Sequence, residues 1–239
     1  MIPIRDENRS QTTPHITRIL ILVNAIAFIP LLYYTLSYYA LLPEDRVMYL
    51  FVESLYDNFT MVPADILQAK NLHTLLTSMF LHADIFHIGG NMLFLYIFGD
   101  NVEDALGHFR YLLFYLVCGL AADFAHILSL TTLPELAIPT LGASGAISGV
   151  LGAYIVMYPK AKILTLLLFR LIWIVPIPAV VFLGFWFLLQ LLYTSLGVGG
   201  VAYWAHIGGF VAGMIMIFAF RKKARMHIKS ESSQETPLI

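Results

Sequence analysis

The chain has 239 residues, of which 59% are hydrophobic and 12% charged, with a mean hydropathy of +0.78 and a formal net charge of −1. Such a composition excludes an ordinary soluble domain and reads as a polytopic membrane protein whose partners include membrane lipids. No basic patch points to nucleic acid, so none is expected as a partner.

A bilayer core about 30 Å thick needs about 20 apolar residues per helical span, and in lipid only helices or closed barrels satisfy the backbone. The apolar runs are long and do not alternate, so the expected fold class is all-α, a bundle of six transmembrane helices. The first span covers residues 19–42 and is itself the insertion signal. The segment before it contains Asp6 and Glu7 and no short apolar core with a cleavage site. In the following loop, "YLFVESLYDNF" reads either as an interfacial amphipathic segment or as a loop packed on the bundle. The second span covers 87–105 and the third 109–128, where the lone Cys118 serves packing. The fourth covers 142–158. The stretch beyond it is too short to span, contains Arg170 and is broken by Pro176 and Pro178, which places the fifth span at 179–196. The sixth covers 203–220.

Loops retained in the cytoplasm are rich in Lys and Arg. Arg5, Arg9, Arg18, Arg110, Lys160, Lys162, Arg170 and the basic run from Arg221 to Lys229 fall on the side shared by both termini, leaving Arg46 and Lys70 opposite. Both termini are therefore expected in the cytoplasm. The expected organisation is a cytoplasmic segment 1–18, one membrane domain 19–220 and a basic tail 221–239 ending in the disordered "SESSQETPLI".

The stretch "PTLGASGAISGVLGAY" carries Gly142, Gly145, Gly149 and Gly152 at steps of three, four and three residues, one face of a helix. In "AHIGGFVAGM", Gly209 and Gly213 follow His206 by three and seven residues on one face. Small residues let transmembrane backbones approach closely, so these two faces are expected to meet and to bring Ser144 opposite His206. The second, fourth and sixth spans all enter from the outer side. His87, Asn91, Ser144 and His206 then lie near one depth, within about two turns of their helix starts.

Taken singly, each of these residues is explained by helix packing or a local hydrogen bond. Taken together they are what serine hydrolysis requires. A neutral His beside Ser144 removes the hydroxyl proton and later protonates the leaving amine. Charge on the tetrahedral oxygen then needs donors, which the helix N-terminus beside Ser144 and the side chains of His87 and Asn91 supply. No acid is obviously placed to orient His206; Asp123 with His126 is the nearby candidate and reads better as a structural pair. The His-Glu-x-x-His of zinc proteases is absent, and no metal or cofactor is expected. A second membrane aspartate to partner Asp100 and the Gly-x-Ser-x-Gly elbow are also missing.

"HADIFHIGGNMLFLYIFGDNVEDALGHFR", "GASGAISGVLGAY" and "AHIGGFVAG" resemble, in order and spacing, the three signature regions of the rhomboid family of intramembrane serine proteases. The resemblance implies a six-helix bundle, a dyad of Ser144 as nucleophile and His206 as general base and acid, and oxyanion stabilisation by His87 and Asn91. It also implies transmembrane protein substrates, cut near their outer-facing ends, and structural roles for His82, Glu103 and Gly107. Two departures stand out. Some rhomboids place an aromatic residue four positions after the nucleophile, where this chain has Ser148, and some carry a Trp-Arg pair in the first external loop, where residues 43–84 contain no Trp. The expected function is an intramembrane serine endopeptidase of a prokaryotic cell membrane. Its rival is a catalytically silent rhomboid-like protein that binds transmembrane helices; a transporter ranks low because the proline-interrupted stretch lies at a cytoplasmic loop.

Overall fold

The computed structural model describes residues 1–8, 10–39, 46–169 and 171–232. The expectations for Arg9, the end of the first span at Leu42, Arg170 and residues 233–239 lie outside the described residues.

Strand β1 (Ile2–Asp6) leads into α1 (His15–Tyr39), followed by α2 (Arg46–Phe59) and two short helices, α3 (Pro63–Leu67) and α4 (Thr74–Thr77). A 3-10 turn at Ser78–Phe80 precedes α5 (Ile85–Leu106) and α6 (His108–Ser129). A single turn, α7 (Leu133–Leu136), leads to α8 (Ser144–Met157), the strands β2 (Lys162–Phe169) and β3 (Leu171–Pro178), then α9 (Ala179–Ser195) and α10 (Tyr203–Ser232). The protein is mostly helical. His15–Ser37 of α1 and all of α6 are long and apolar enough to cross a membrane, whereas α8, α9 and Tyr203–Ala219 of α10 are apolar but shorter.

α8 is the axis of the bundle, buried at every residue from Gly145 to Tyr154 and packed by α5, α6, α9 and α10. A helix apolar on all sides belongs there. The glycine faces meet as expected. A methyl group on Gly152 would overlap the Phe210 carbonyl, one on Gly209 the Gly145 carbonyl, and one on Gly213 the Gly149 carbonyl. Gly149 also lies against Cys118 of α6, whose sulfur is 3.8 Å from that of Met216. Gly142, expected as the start of the fourth span, instead lies before the helix with φ +126°.

The sheet was not expected. β1, β2 and β3 form an antiparallel sheet in that order, with Ile2 opposite Leu166 and Leu164 opposite Pro176. Proline cannot donate to a ladder. Pro3, Pro176 and Pro178 accordingly sit on the outer strands, while central β2 has none. The prolines read as helix breaks are edge-strand residues.

The same end of the bundle carries a polar network. Asp6 accepts from Tyr154 (2.6 Å) and Asn101 (2.9 Å), and Asp104 accepts from the Gln11 and Thr12 amides at 3.0 Å. Glu103 is fully buried and accepts from the Ile16 and Thr17 amides at 2.8 Å and from the Thr17 hydroxyl at 2.7 Å, so a residue of α5 caps the N-terminus of α1. His108 Nδ1 hydrogen-bonds to the same carboxylate. Gly107, at φ +75°, ends α5 and permits the sharp turn into α6. α10 continues to Ser232, beyond the expected end at residue 220.

Candidate active site

Three helices begin at the end of the bundle opposite the sheet. Ser144 is the first residue of α8, His206 lies in the first turn of α10, and His87 and Asn91 lie in the first two turns of α5. The approach to Ser144 is pinned by backbone. Thr140 and Met61 exchange amide–carbonyl bonds of 2.8 and 3.1 Å, and the Gly142 amide donates to Ser78 at 2.9 Å. At Gly142 a Cβ would stand 2.8 Å from His87 Nε2 and 3.7 Å from Ser144 Oγ. Its positive φ and its missing side chain are both required, because the backbone passes between imidazole and hydroxyl.

Ser144 Oγ lies 2.8 Å from His206 Nε2, a hydrogen-bond distance across the α8–α10 glycine contact. The Asn91 side chain is buried and its Nδ2 has no partner within the described residues. An unpaired buried donor costs free energy unless something arrives to use it. Beside Ser144 a cavity of about 20 Å³ is bounded by Ser78, Asp123, Thr140, Gly142 and Gly145, room for about one water.

Ser144, His206 and His87 thus meet around Gly142 and the α8–α10 contact, and Asn91 lies one turn beyond His87 on α5. Asp123 and His126 do not pair: His126 Nε2 faces the Thr140 hydroxyl at 3.2 Å, while Asp123 Oδ2 is buried at the cavity wall with no partner among the described residues. The contact that orients His206 comes from a residue the sequence reading passed over. Gln190 of α9 places Oε1 2.9 Å from His206 Nδ1, and Trp186, one turn earlier, lies over the imidazole with ring centroids 5.9 Å apart at 34°. Ser148, where an aromatic residue stands in some rhomboids, turns back to the Ser144 carbonyl at 2.6 Å. The available signal was Gln190 itself, a lone amide in the apolar run "FWFLLQLLY".

His82 packs edge-on against His87 with centroids 5.0 Å apart. It sits in the connection before α5, where burial first and the neighbouring His87 second push its pKa down to about 4. Its ring is therefore neutral at pH 7.

The Rhomboid domain model matches residues 69–223, well over half of the chain and all four of these positions. The chain belongs to the rhomboid family. It is 33% identical over 150 residues to "Rhomboid protein 1, mitochondrial" of Saccharomyces cerevisiae, covering 59% of this chain and 40% of that protein. To "RHOMBOID-like protein 12, mitochondrial" of Arabidopsis thaliana it is 30% identical over 179 residues, 70% of this chain and 51% of the relative. To "Rhomboid protease GluP" of Bacillus subtilis it is 36% identical over 140 residues, 58% of this chain and 25% of the relative. This rhomboid therefore spans about half or less of the curated relatives it matches. Membership makes it an integral membrane protein. The relatives include mitochondrial, chloroplastic and bacterial proteins, so the expected prokaryotic cell membrane gains no support from them.

Proposed function

We propose that this rhomboid is an intramembrane serine endopeptidase that hydrolyses transmembrane protein substrates near the outer face of the membrane. One observation carries the reading: a serine hydroxyl at a helix N-terminus, 2.8 Å from an imidazole nitrogen. In the proposed mechanism His206 takes the Ser144 proton as the hydroxyl attacks the scissile carbonyl, then passes it to the leaving amine. His87 and the unpaired Nδ2 of Asn91 donate to the oxygen that becomes anionic, aided by the free amides at the start of α8. Water then releases the acyl group, with His206 again accepting the proton.

The reading assigns six membrane spans to α1, α5, α6, α8, α9 and the first part of α10, and both termini to the cytoplasm. It divides the chain into a cytoplasmic segment 1–18, a membrane domain 19–220 and a tail 221–239. Substrate enters laterally between α5 and α9. These helices meet through Phe94, Phe98 and Phe182, nearer the sheet than the serine.

The test is cleavage of a labelled transmembrane peptide with small residues near its outer end by purified wild type, Ser144→Ala and His206→Ala. Cleavage by wild type alone, with both variants folded, supports the mechanism. Binding without cleavage by all three, across several substrates and lipids, replaces it with the silent, helix-binding alternative. Cleavage by Ser144→Ala refutes it.

A further inference from the structure

Gln190 is 6% exposed in a helix that is otherwise almost wholly apolar, and a buried amide is tolerated only when both its halves are bonded. Its Nε2 donates to the Trp186 carbonyl at 3.1 Å. A carbonyl only accepts, so that bond decides which end of the amide is nitrogen. The reverse orientation would set Oε1 against another acceptor. Oε1 is thereby left to face His206 Nδ1 at 2.9 Å. An amide oxygen also only accepts, so Nδ1 carries the ring hydrogen and Nε2 carries the lone pair. That lone pair points at Ser144 Oγ, 2.8 Å away, and the serine hydroxyl is the donor.

We propose that Gln190 is the positioning residue of the site, holding His206 as the Nδ1–H tautomer so that Nε2 is free to accept the serine proton. The inference rests on the Ser144–His206 reading and adds what keeps the histidine in its working state. A buried carboxylate does this in serine triads and also stabilises the imidazolium by charge. An unpaired carboxylate inside a membrane protein carries a large desolvation cost, whereas a neutral amide supplies the acceptor without it. Trp186 contributes twice, its carbonyl fixing the amide and its ring covering the imidazole. The ionisable groups near enough to act on His206 electrostatically are His87 of α5 and His126 of α6, and Tyr203 of its own helix packs edge-on against it. Neither of those histidines bonds the ring, so the tautomer is set by Gln190.

The experiment reads the tautomer directly, by ¹⁵N NMR of histidine-labelled full-length protein in detergent, alongside kinetics on a transmembrane peptide. In wild type and in Ser144→Ala, His206 is expected protonated at Nδ1 and bare at Nε2. Gln190→Leu should lose this bias and lower kcat about tenfold with KM within about twofold, the loss of one net hydrogen bond. Gln190→Glu should restore most of kcat and move the acid limb of the kcat profile to higher pH, because a carboxylate favours the imidazolium. Protonation at Nε2 in Ser144→Ala overturns the proposal without need of any Gln190 variant. So does a Gln190→Leu protein with wild-type tautomer, whether its kcat is retained or lost, since a loss then reflects packing alone. Cleavage by Ser144→Ala would instead refute the dyad and leave the tautomer result standing.

Discussion

The two ends of this bundle are held by different means. At the sheet end, acidic side chains are bonded: Glu103 takes three donors from α1, Asp104 takes the Gln11 and Thr12 amides, and Asp6 takes Tyr154 and Asn101. At the serine end, backbones touch through glycines, and Asn91 Nδ2, both His82 nitrogens and Asp123 Oδ2 are buried with no partner among the described residues. Buried polar groups are normally satisfied, and each exception asks for a reason. Here the bonded carboxylates lie where the chain is fastened, and four unpaired atoms lie at the serine end; Asn24 Oδ1 and the hydroxyls of Tyr111, Tyr115 and Thr194 are unpaired elsewhere among the described residues.

Substitutions at each end can break that contrast. The largest effect is expected for Gly213→Leu, whose side chain has no room against the Gly149 carbonyl and which should separate α8 from α10. Thermal unfolding in detergent should show collapse of the fold together with any activity. Asn91→Ala should lower kcat by about 10²- to 10³-fold, as loss of an oxyanion donor does, while leaving the melting temperature unchanged because Nδ2 has no partner to lose. A parallel fall in stability would mean that Asn91 belongs to the fastening. Glu103→Ala should do the reverse, costing about 3 kcal/mol of stability by orphaning the α1 amides while kcat per folded molecule stays within about twofold.

The smallest effect is one of pH, and it has opposite signs at the two ends. Burial lifts the Asp6 carboxyl to about 6, against the opposing hydrogen bond from Tyr154. Its contribution is complete below the unfolded value near 3.8 and is lost as pH rises through about 6, so β1 should tighten on acidification from pH 7 to 5. His82 is held neutral, and an unfolded chain would take up its proton first. The surroundings of His82 should therefore loosen as pH falls from about 6.5 towards 4. Amide exchange of β1 and of the segment before α5 would measure both, and Asp6→Asn should flatten the first.

The glycine spacing made the α8–α10 contact legible, because close approach of two helices leaves a mark in local sequence, and Ser144 and His206 came with it. The sheet left no such mark. "KILTLLLF" and "LIWIVPIP" are apolar throughout, and β2 pairs with residues near the start of the chain, a non-local partnership that composition does not encode. Gln190 escaped because its meaning depends on the rotation of α9 about its own axis, which brings its amide to His206. Gly142 was read as helix, yet its function lies in a φ of +126° that no periodicity reveals. Asp123 and His126 lie three residues apart on α6 but are claimed by different surroundings, one by a cavity and the other by Thr140.

The capping of α1 by Glu103 bears on how the chain is inserted. The Ile16 amide is synthesised 87 residues ahead of the carboxylate that will receive it. If α1 spans the bilayer as proposed, its opening turn is served by water or lipid headgroups until the turn between α5 and α6 is made. Were α1 to enter upside down, its amides would lie on the opposite face of the membrane, and Glu103 would be left buried and unanswered. On the proposed arrangement of spans, this carboxylate can close only on a first helix that has come to rest on the same side as the α5–α6 turn.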